Sequence, residues 1–310
     1  MANDLRQAVR EQLDNKLFTQ SELAKAIGVS VSRVSSWLAG KYTGRNDLLE
    51  ELVGEFMHKR AATHREVSAL KKDFDFVPTE NYELANDAID VAEARGEFRL
   101  MIGASGVGKT TALNRIHEQK RTSVLIRAYR GITTKGFMTR LCKELGLEPR
   151  HSFGLMFENI ITELNGSGRL VMVDEAEHLP IDALDALRSL NDFTGCCVIL
   201  CGLPMLLNML RNSTQYTYVY NRTSLNITMK LLGENDIARM VATMVDTPVE
   251  AAFWMKACRG IGRDLKMIVQ ESLRLAEKQQ IDVQTEPARL KTVITGVVAL
   301  LGRNPQGNKS

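Results

Sequence analysis

The clearest chemistry in the chain lies in one uninterrupted stretch, Gly103-Ala104-Ser105-Gly106-Val107-Gly108-Lys109-Thr110, which satisfies G-x-x-x-x-G-K-[ST] at every position. Glycines in such a loop let backbone N–H groups turn toward phosphate oxygens. Lys109 brings an ammonium near the β and γ oxygens, and the Thr110 hydroxyl can ligate Mg²⁺. Thr111, next in line, is read as nucleotide-binding with the loop. The apolar run Arg99 to Ile102 precedes the motif and a helical pattern with Leu113 and Ile116 follows, so the loop belongs at a strand-to-helix turn. The bland alternative is a glycine-rich surface turn.

A second element complements the first. Leu170-Val171-Met172-Val173-Asp174-Glu175 reads as a buried strand ending in two carboxylates, the form of a Walker B segment. Asp174 is expected to hold Mg²⁺ through water, and Glu175 to orient or activate an attacking water. Taken alone, the pair could be two solvated acids at a strand end. His178, close behind, reads as a solvated side chain or one that supports a neighbouring site residue, rather than a catalytic one.

A third pattern is of a different kind. From Gln20 to Leu38 the spacing is that of a helix-turn-helix, with Leu23, Ile27, Val29, Val34 and Trp37 as its small core. Ala24 permits close helix approach, Gly28 makes the turn and Ser30 caps the second helix. Ser32, Arg33, Ser35 and Ser36 then face a DNA groove or its phosphates. One arginine among serines favours phosphate-dominated contact over sequence readout. A three-helix module used for protein contacts is the alternative.

Three textures position these motifs. Residues 1–66 are polar and helical in pattern and form the helix-turn-helix module. Residues 67–81, with Lys71, Lys72, Asp73, Asp75 and Val77-Pro78, read as a linker. Over 82–229, short apolar runs at Phe98 to Ile102, Ser123 to Ala128, Leu170 to Val173, Cys197 to Cys201 and Leu225 to Thr228 alternate with helical patterns. That predicts an α/β fold with a parallel sheet sandwiched by helices. Residues 230–305 turn all-helical, with helices expected around 234–245, 249–258, 264–278 and 286–301, and 306–310 read as a disordered tail.

Composition sets the bounds. A chain of 310 residues with 44% hydrophobic and 25% charged residues excludes a disordered or fibrous class and has room for about two domains. The five cysteines, Cys142, Cys196, Cys197, Cys201 and Cys258, form no CxxC pair, which points to a reduced cytoplasmic setting without a zinc site. The N-terminus has no apolar leader run, and Thr292 to Leu301 is too short to span a bilayer, so no membrane role is expected. A net charge of +3 is uninformative as a total. Between Asn114 and Arg150, however, nine basic residues stand against three acidic ones.

Asp174-Glu175-Ala176-Glu177-His178-Leu179, the phosphate loop and the N-terminal module together resemble the phage Mu B-type transposition ATPases and the related TnsC/TniB type, over nearly the whole chain. The resemblance implies an AAA+ P-loop core with a C-terminal helical lid. It implies ATP and Mg²⁺ as cofactors and ATP hydrolysis, which the departure at sensor 1 described next leads one to expect to be slow. Sensor 1, at the end of the fourth core strand, has no Asn, Thr or Ser in Val198-Ile199-Leu200-Cys201-Gly202, leaving Cys201 as the candidate. Arg222 in Tyr220-Asn221-Arg222-Thr223 matches the arginine finger, with Arg211 as runner-up. Arg263 in Gly260-Ile261-Gly262-Arg263-Asp264-Leu265 matches sensor 2. Arg130, Thr133, Thr134 and Lys135 fall in the loop that relatives place on the inner face of a ring or helix, and are expected to track duplex DNA.

The implied function is ATP-dependent, largely non-specific binding of target DNA. Subunits assemble into a filament or ring, the transposase is activated, and hydrolysis drives disassembly. A helicase-loader-type ATPase and an ATP-switched helix-turn-helix transcription regulator are the alternatives.

Overall fold

The computed structural model describes residues 2–14, 18–57, 74–212, 214–223 and 225–302. The expected tail at 306–310 and the first part of the expected linker, 67–73, lie outside the described residues. The chain divides into two compact units, Met1–Lys72 and Asp73–Ser310.

The first unit is helical: α1 (Ala2–Asp14), α2 (Gln20–Ala26), α3 (Val31–Leu38) and α4 (46–57). Thr19 starts α2 with a capping box, its hydroxyl accepting from the Glu22 backbone N–H while the Glu22 carboxylate accepts from that of Thr19. Gly28 makes the turn at φ +71°. Ser30 caps α3, as the sequence leads one to expect, by accepting from the Arg33 N–H. Leu23, Val34 and Trp37 are fully buried with Val9 and Val53, while Ile27 and Val29 pack at the margin. The Trp37 indole N–H donates to Glu50 Oε1, and Arg6 donates to the same oxygen at 3.0 Å. The polar edge of the largest core side chain is thus satisfied.

The second unit is built on a five-stranded parallel sheet of β1 (Phe98–Gly103), β2 (Val124–Arg127), β3 (Leu170–Asp174), β4 (Cys197–Gly202) and β5 (Ile227–Met229), in the order β2-β3-β4-β1-β5. All five strands lie where the apolar runs predict them. β1, β3 and β4 are buried at every position, which is why they read as continuous apolar runs rather than alternating ones. One face is covered by α5 (Glu80–Arg95) and α6 (Lys109–Gln119), through Ile89, Leu113 and Ile116 against Met101, Met172 and Ile199. The other is covered by α7 (Thr134–Glu144), α8 (Phe153–Leu164), α9 (Ile181–Thr194), α10 (Pro204–Asn212) and α11 (Thr217–Arg222), against Leu100, Val173 and Leu200.

Beyond β5 the chain is helical, with α12 (Glu234–Ala242), α13 (Ala251–Cys258), α14 (Gly262–Lys278) and α15 (Pro287–Leu300) around Trp254, Leu265, Ile268 and Ile294. All five cysteines are buried as free thiols. Among the described residues no helix is long and apolar enough to cross a membrane.

Candidate functional site

β1 delivers the chain to its C-terminal end at Gly103, and the loop from Ala104 to Gly108 turns it into α6. Gly106 at φ +82° and Gly108 at φ +99° hold conformations that side chains disfavour. A Cβ on Gly106 would also run into Ile261 Cγ2 at 2.7 Å, because the start of α14 packs directly on the loop. The Gly262 N–H donates to Gly106 O at 2.9 Å, and Arg263 donates to Ser105 Oγ at 3.1 Å. The loop and the start of α14 are therefore joined through backbone and side chain.

A cleft of about 560 Å³ opens over this junction. Ser105 to Ala112, Asp174, Glu175, Gly202 and Arg263 line it, so the loop, the two carboxylates after β3 and the sensor 2 candidate share one cleft. Gly103 and Ala104 contribute through their carbonyls, which accept from Lys109 Nζ at 2.8 Å each. The ammonium is thus folded back onto its own loop, with phosphate oxygens the natural replacement for those carbonyls. Thr110 Oγ1 donates to Asp174 Oδ2 at 2.7 Å. Two hard oxygen groups side by side, one on a carboxylate only 3% exposed, suit a Mg²⁺ ion that takes few protein ligands beside phosphate. Among the described residues no group of three or more His, Cys, Asp or Glu side chains could hold a metal without such help.

Glu175 sits at φ +55°, a left-handed conformation uncommon outside glycine. Arg127 at the end of β2 donates to Glu175 Oε1 at 2.6 Å. That hydrogen bond, aided by the charges of Arg127, His178 and Lys109, holds the carboxyl below its ordinary range despite some burial.

Other expected residues stand apart from the cleft. Cys201 is fully buried and does not line it, whereas Gly202 and Leu203 after it do. Burial, with Asp174 nearby, pushes the Cys201 thiol well up, so it is a packed core group rather than a sensor 1. Arg222 ion-pairs with Asp192 at 2.8 Å and donates to Asn191 Oδ1 at 3.2 Å, away from this chain's own phosphate loop. Arg211 is exposed in the last turn of α10.

On the candidate DNA-facing surfaces, Ser32, Arg33 and Ser35 are exposed on α3 and Ser36 is half-buried. Thr133 caps α7 by accepting from the Gly136 N–H, Thr134 is half-buried, and Arg130 and Lys135 are exposed with no ion pair among the described residues. The basic excess of this region is not one surface. Lys120 is held by Asp90 and Glu93, Arg115 by Glu118 and Arg127 by Glu175.

Sequence reasoning missed two parts of the site. Residues 74–79, read as linker, line the cleft through Phe74, Phe76, Val77 and Thr79. Phe76 makes a T-shaped contact with Tyr82 at 4.9 Å between ring centroids and carries Arg115 over its ring. These groups give one wall of the cleft an apolar and aromatic lining, and the aromatic spacing Phe74-x-Phe76 was the available signal. Asn81 is buried and straps three segments together. Its amide donates to Lys230 O at 2.7 Å and Val107 O at 3.3 Å, and its oxygen accepts from the Lys230 N–H at 2.9 Å.

Comparison with known proteins agrees with this architecture. A family model described as an AAA domain matches residues 93–210, and a helix-turn-helix model matches residues 9–52. The chain is 24% identical over 273 residues to the Mu-like prophage FluMu DNA transposition protein B of Haemophilus influenzae, covering 84% of this chain and 93% of that one. It is 25% identical over 238 residues to the ATP-dependent target DNA activator B of Escherichia phage Mu, covering 74% and 75%. Among solved structures, the ORC2 protein of Aeropyrum pernix superposes with a TM-score of 0.54 at 12% identity over 73% of this chain and 70% of that one, a likeness of fold.

Proposed function

We propose that this chain, which carries an AAA domain and is similar over most of its length to the Mu B proteins, binds and hydrolyses ATP and uses it to control its hold on DNA that is a target for transposition. The observation that carries the reading is the convergence of Lys109, Thr110, Asp174, Glu175 and Arg263 on one cleft. The chain also has a helix-turn-helix, and its relatives are named for transposition.

On binding ATP, Lys109 exchanges the Gly103 and Ala104 carbonyls for β and γ phosphate oxygens. Thr110 and Asp174 are the residues to hold Mg²⁺, which supplies charge neutralisation of the phosphates when bound. Glu175 accepts a proton from the attacking water as the water oxygen bonds to the γ-phosphorus. The bond from that phosphorus to the β–γ bridging oxygen breaks, and ADP leaves with its electron pair. Arg263, at the loop through Ser105, steadies the γ-phosphoryl charge. Arg222 acts on the nucleotide of a neighbouring subunit, exchanging Asp192 for phosphate, so that assembly and hydrolysis are coupled.

Exposed Ser32, Arg33, Ser35, Arg130 and Lys135, with Ser36, Thr133 and Thr134 beside them, contact the phosphates of duplex DNA with little base readout. ATP favours assembly into a helical filament on that DNA, the filament presents the DNA and activates a transposase, and hydrolysis dismantles it. The setting is the cytoplasm of a host cell. Negative-stain imaging with ATP and duplex DNA tests the assembly: helical filaments are expected, and closed rings would favour a loader instead.

A further inference from the structure

The turn after β2 holds an aromatic side chain that the nucleotide chemistry does not use. Ala128 and Ile132 are buried on either side of it, and the Ile132 N–H donates to Tyr129 O at 3.0 Å, with Gly131 at φ +90° completing the turn. The residues between those two anchors are therefore lifted off the core. Tyr129 is 52% exposed, and Arg130 is exposed beside it.

The ring is nevertheless held. Arg140 on α7 sets its guanidinium over the ring, 5.3 Å from the centroid, and is itself anchored by donating to Arg127 O at 2.9 Å. A large ring kept exposed against a fixed neighbour adds little to the core, and it is already ordered for a contact.

The charge on this segment selects the partner. Arg130, Lys135 and Arg140 are exposed and make no ion pair among the described residues, and from Ala128 to Lys143 the chain has no acidic residue. Three such cations suit a polyanion. An aromatic face among them suits one whose charges are separated by less polar groups, and a DNA strand has that alternation of phosphate and sugar.

We propose that Tyr129 and Arg140 form a contact to duplex DNA: the exposed part of the ring packs against a deoxyribose of one strand, and Arg140 takes a phosphate beside it. The proposal rests on the reading of Arg130 and Lys135 as DNA contacts. It adds to that reading a component of affinity that salt does not screen.

The test uses the full chain with ATP and a short duplex of unrelated sequence, and measures affinity by fluorescence anisotropy across a salt series. Tyr129→Ala is expected to weaken binding about fivefold at every salt concentration, with the slope of log affinity against log salt unchanged. Tyr129→Phe keeps the ring and is expected to stay within about twofold of the parent. Arg140→Ala is expected to make the slope shallower by about 1 and to lose the ring's contribution as well, so that Tyr129→Ala/Arg140→Ala binds within about twofold of Arg140→Ala. Affinity for a fluorescent ATP analogue, thermal melting, and sedimentation with ATP but no DNA are expected to match the parent in all four.

Unchanged affinity in Tyr129→Ala, an equal loss in Tyr129→Phe, or independent losses in the double variant would overturn the proposal. So would a Tyr129→Ala chain that loses ATP-dependent assembly without DNA, which would make this turn a contact between copies of the chain. If the parent binds duplex but Arg130→Ala/Lys135→Ala keeps its salt slope, the reading of the turn as a DNA surface falls, and the proposal with it.

Discussion

Arg127 at the end of β2 and Glu175 beyond the end of β3 form an ion pair of 2.6 Å across two neighbouring strands, paired in register through Arg127 and Asp174. The carboxylate assigned to activate water is thus held by an arginine whose own side chain is 65% exposed. Arg140 donates to the Arg127 backbone carbonyl and lies over Tyr129, which connects this pair to the neighbourhood of Arg130 and Lys135. In its proposed role Glu175 would have to leave this ion pair.

Arg127→Ala should therefore raise basal ATP hydrolysis several-fold without DNA, read by phosphate release. The pH profile provides an independent check. Arg127 is the main cause holding the Glu175 carboxyl below its ordinary range, so its removal raises that pKa and moves the acid limb of kcat toward higher pH. An unchanged rate and an unchanged limb would show that the pair does not restrain Glu175.

The two motif residues should separate cleanly. Lys109→Ala removes the ammonium that exchanges carbonyl for phosphate and should abolish binding of a fluorescent ATP analogue. Glu175→Gln should bind the analogue like the parent, lose hydrolysis by about 100-fold or more, and lengthen filament lifetime in imaging. Normal hydrolysis by Glu175→Gln would remove it from its assigned role.

Asn81 is a structural prediction that owes nothing to catalysis. Asn81→Leu leaves Lys230 O, the Lys230 N–H and Val107 O without their buried partner, at a cost of about 2–4 kcal/mol. Denaturant unfolding of the second unit should register it, with ATP affinity falling because Val107 belongs to the phosphate loop. In the first unit, Trp37→Ala empties a fully buried site and should cost about 3–5 kcal/mol. DNA binding would then be measured with that module unfolded.

Replacing Arg130 and Lys135 together with Ala should weaken binding to any duplex alike and reduce the slope of log affinity against log salt by about 2, one phosphate contact each. ATP affinity should not move. An unchanged slope would transfer the DNA contact to α3.

The parts of this protein legible in sequence are those that a local pattern determines. The phosphate loop, the strand ending at Asp174 and the turn at Gly28 each follow from a short run whose backbone demands or burial show directly in residue types. Helix limits in the lid were also legible, because α12 to α15 bury one face against a shared core. What escaped depends on packing between distant segments. Nothing local marks Asn81 as the strap between Val107 and Lys230, or Arg127 as the partner of Glu175, which lies 48 positions on. Phe74 and Phe76 were hidden by charged neighbours that resembled a linker, and the basic stretch looked like one surface until its arginines and lysines met carboxylates on other elements. Cys201 lies away from the cleft because β4 is buried on both faces and keeps this side chain in the core.

If ATP in this cleft governs the hold on DNA, a single titration will show it. Fluorescence anisotropy of an unrelated duplex is measured with ATP, with ADP and without nucleotide, for the parent chain and for Lys109→Ala. Tight, salt-sensitive binding is expected with ATP alone, at least about tenfold weaker binding in the other two conditions, and no ATP effect in Lys109→Ala. Equal affinity in all three conditions, or binding restricted to one particular sequence, would contradict the account.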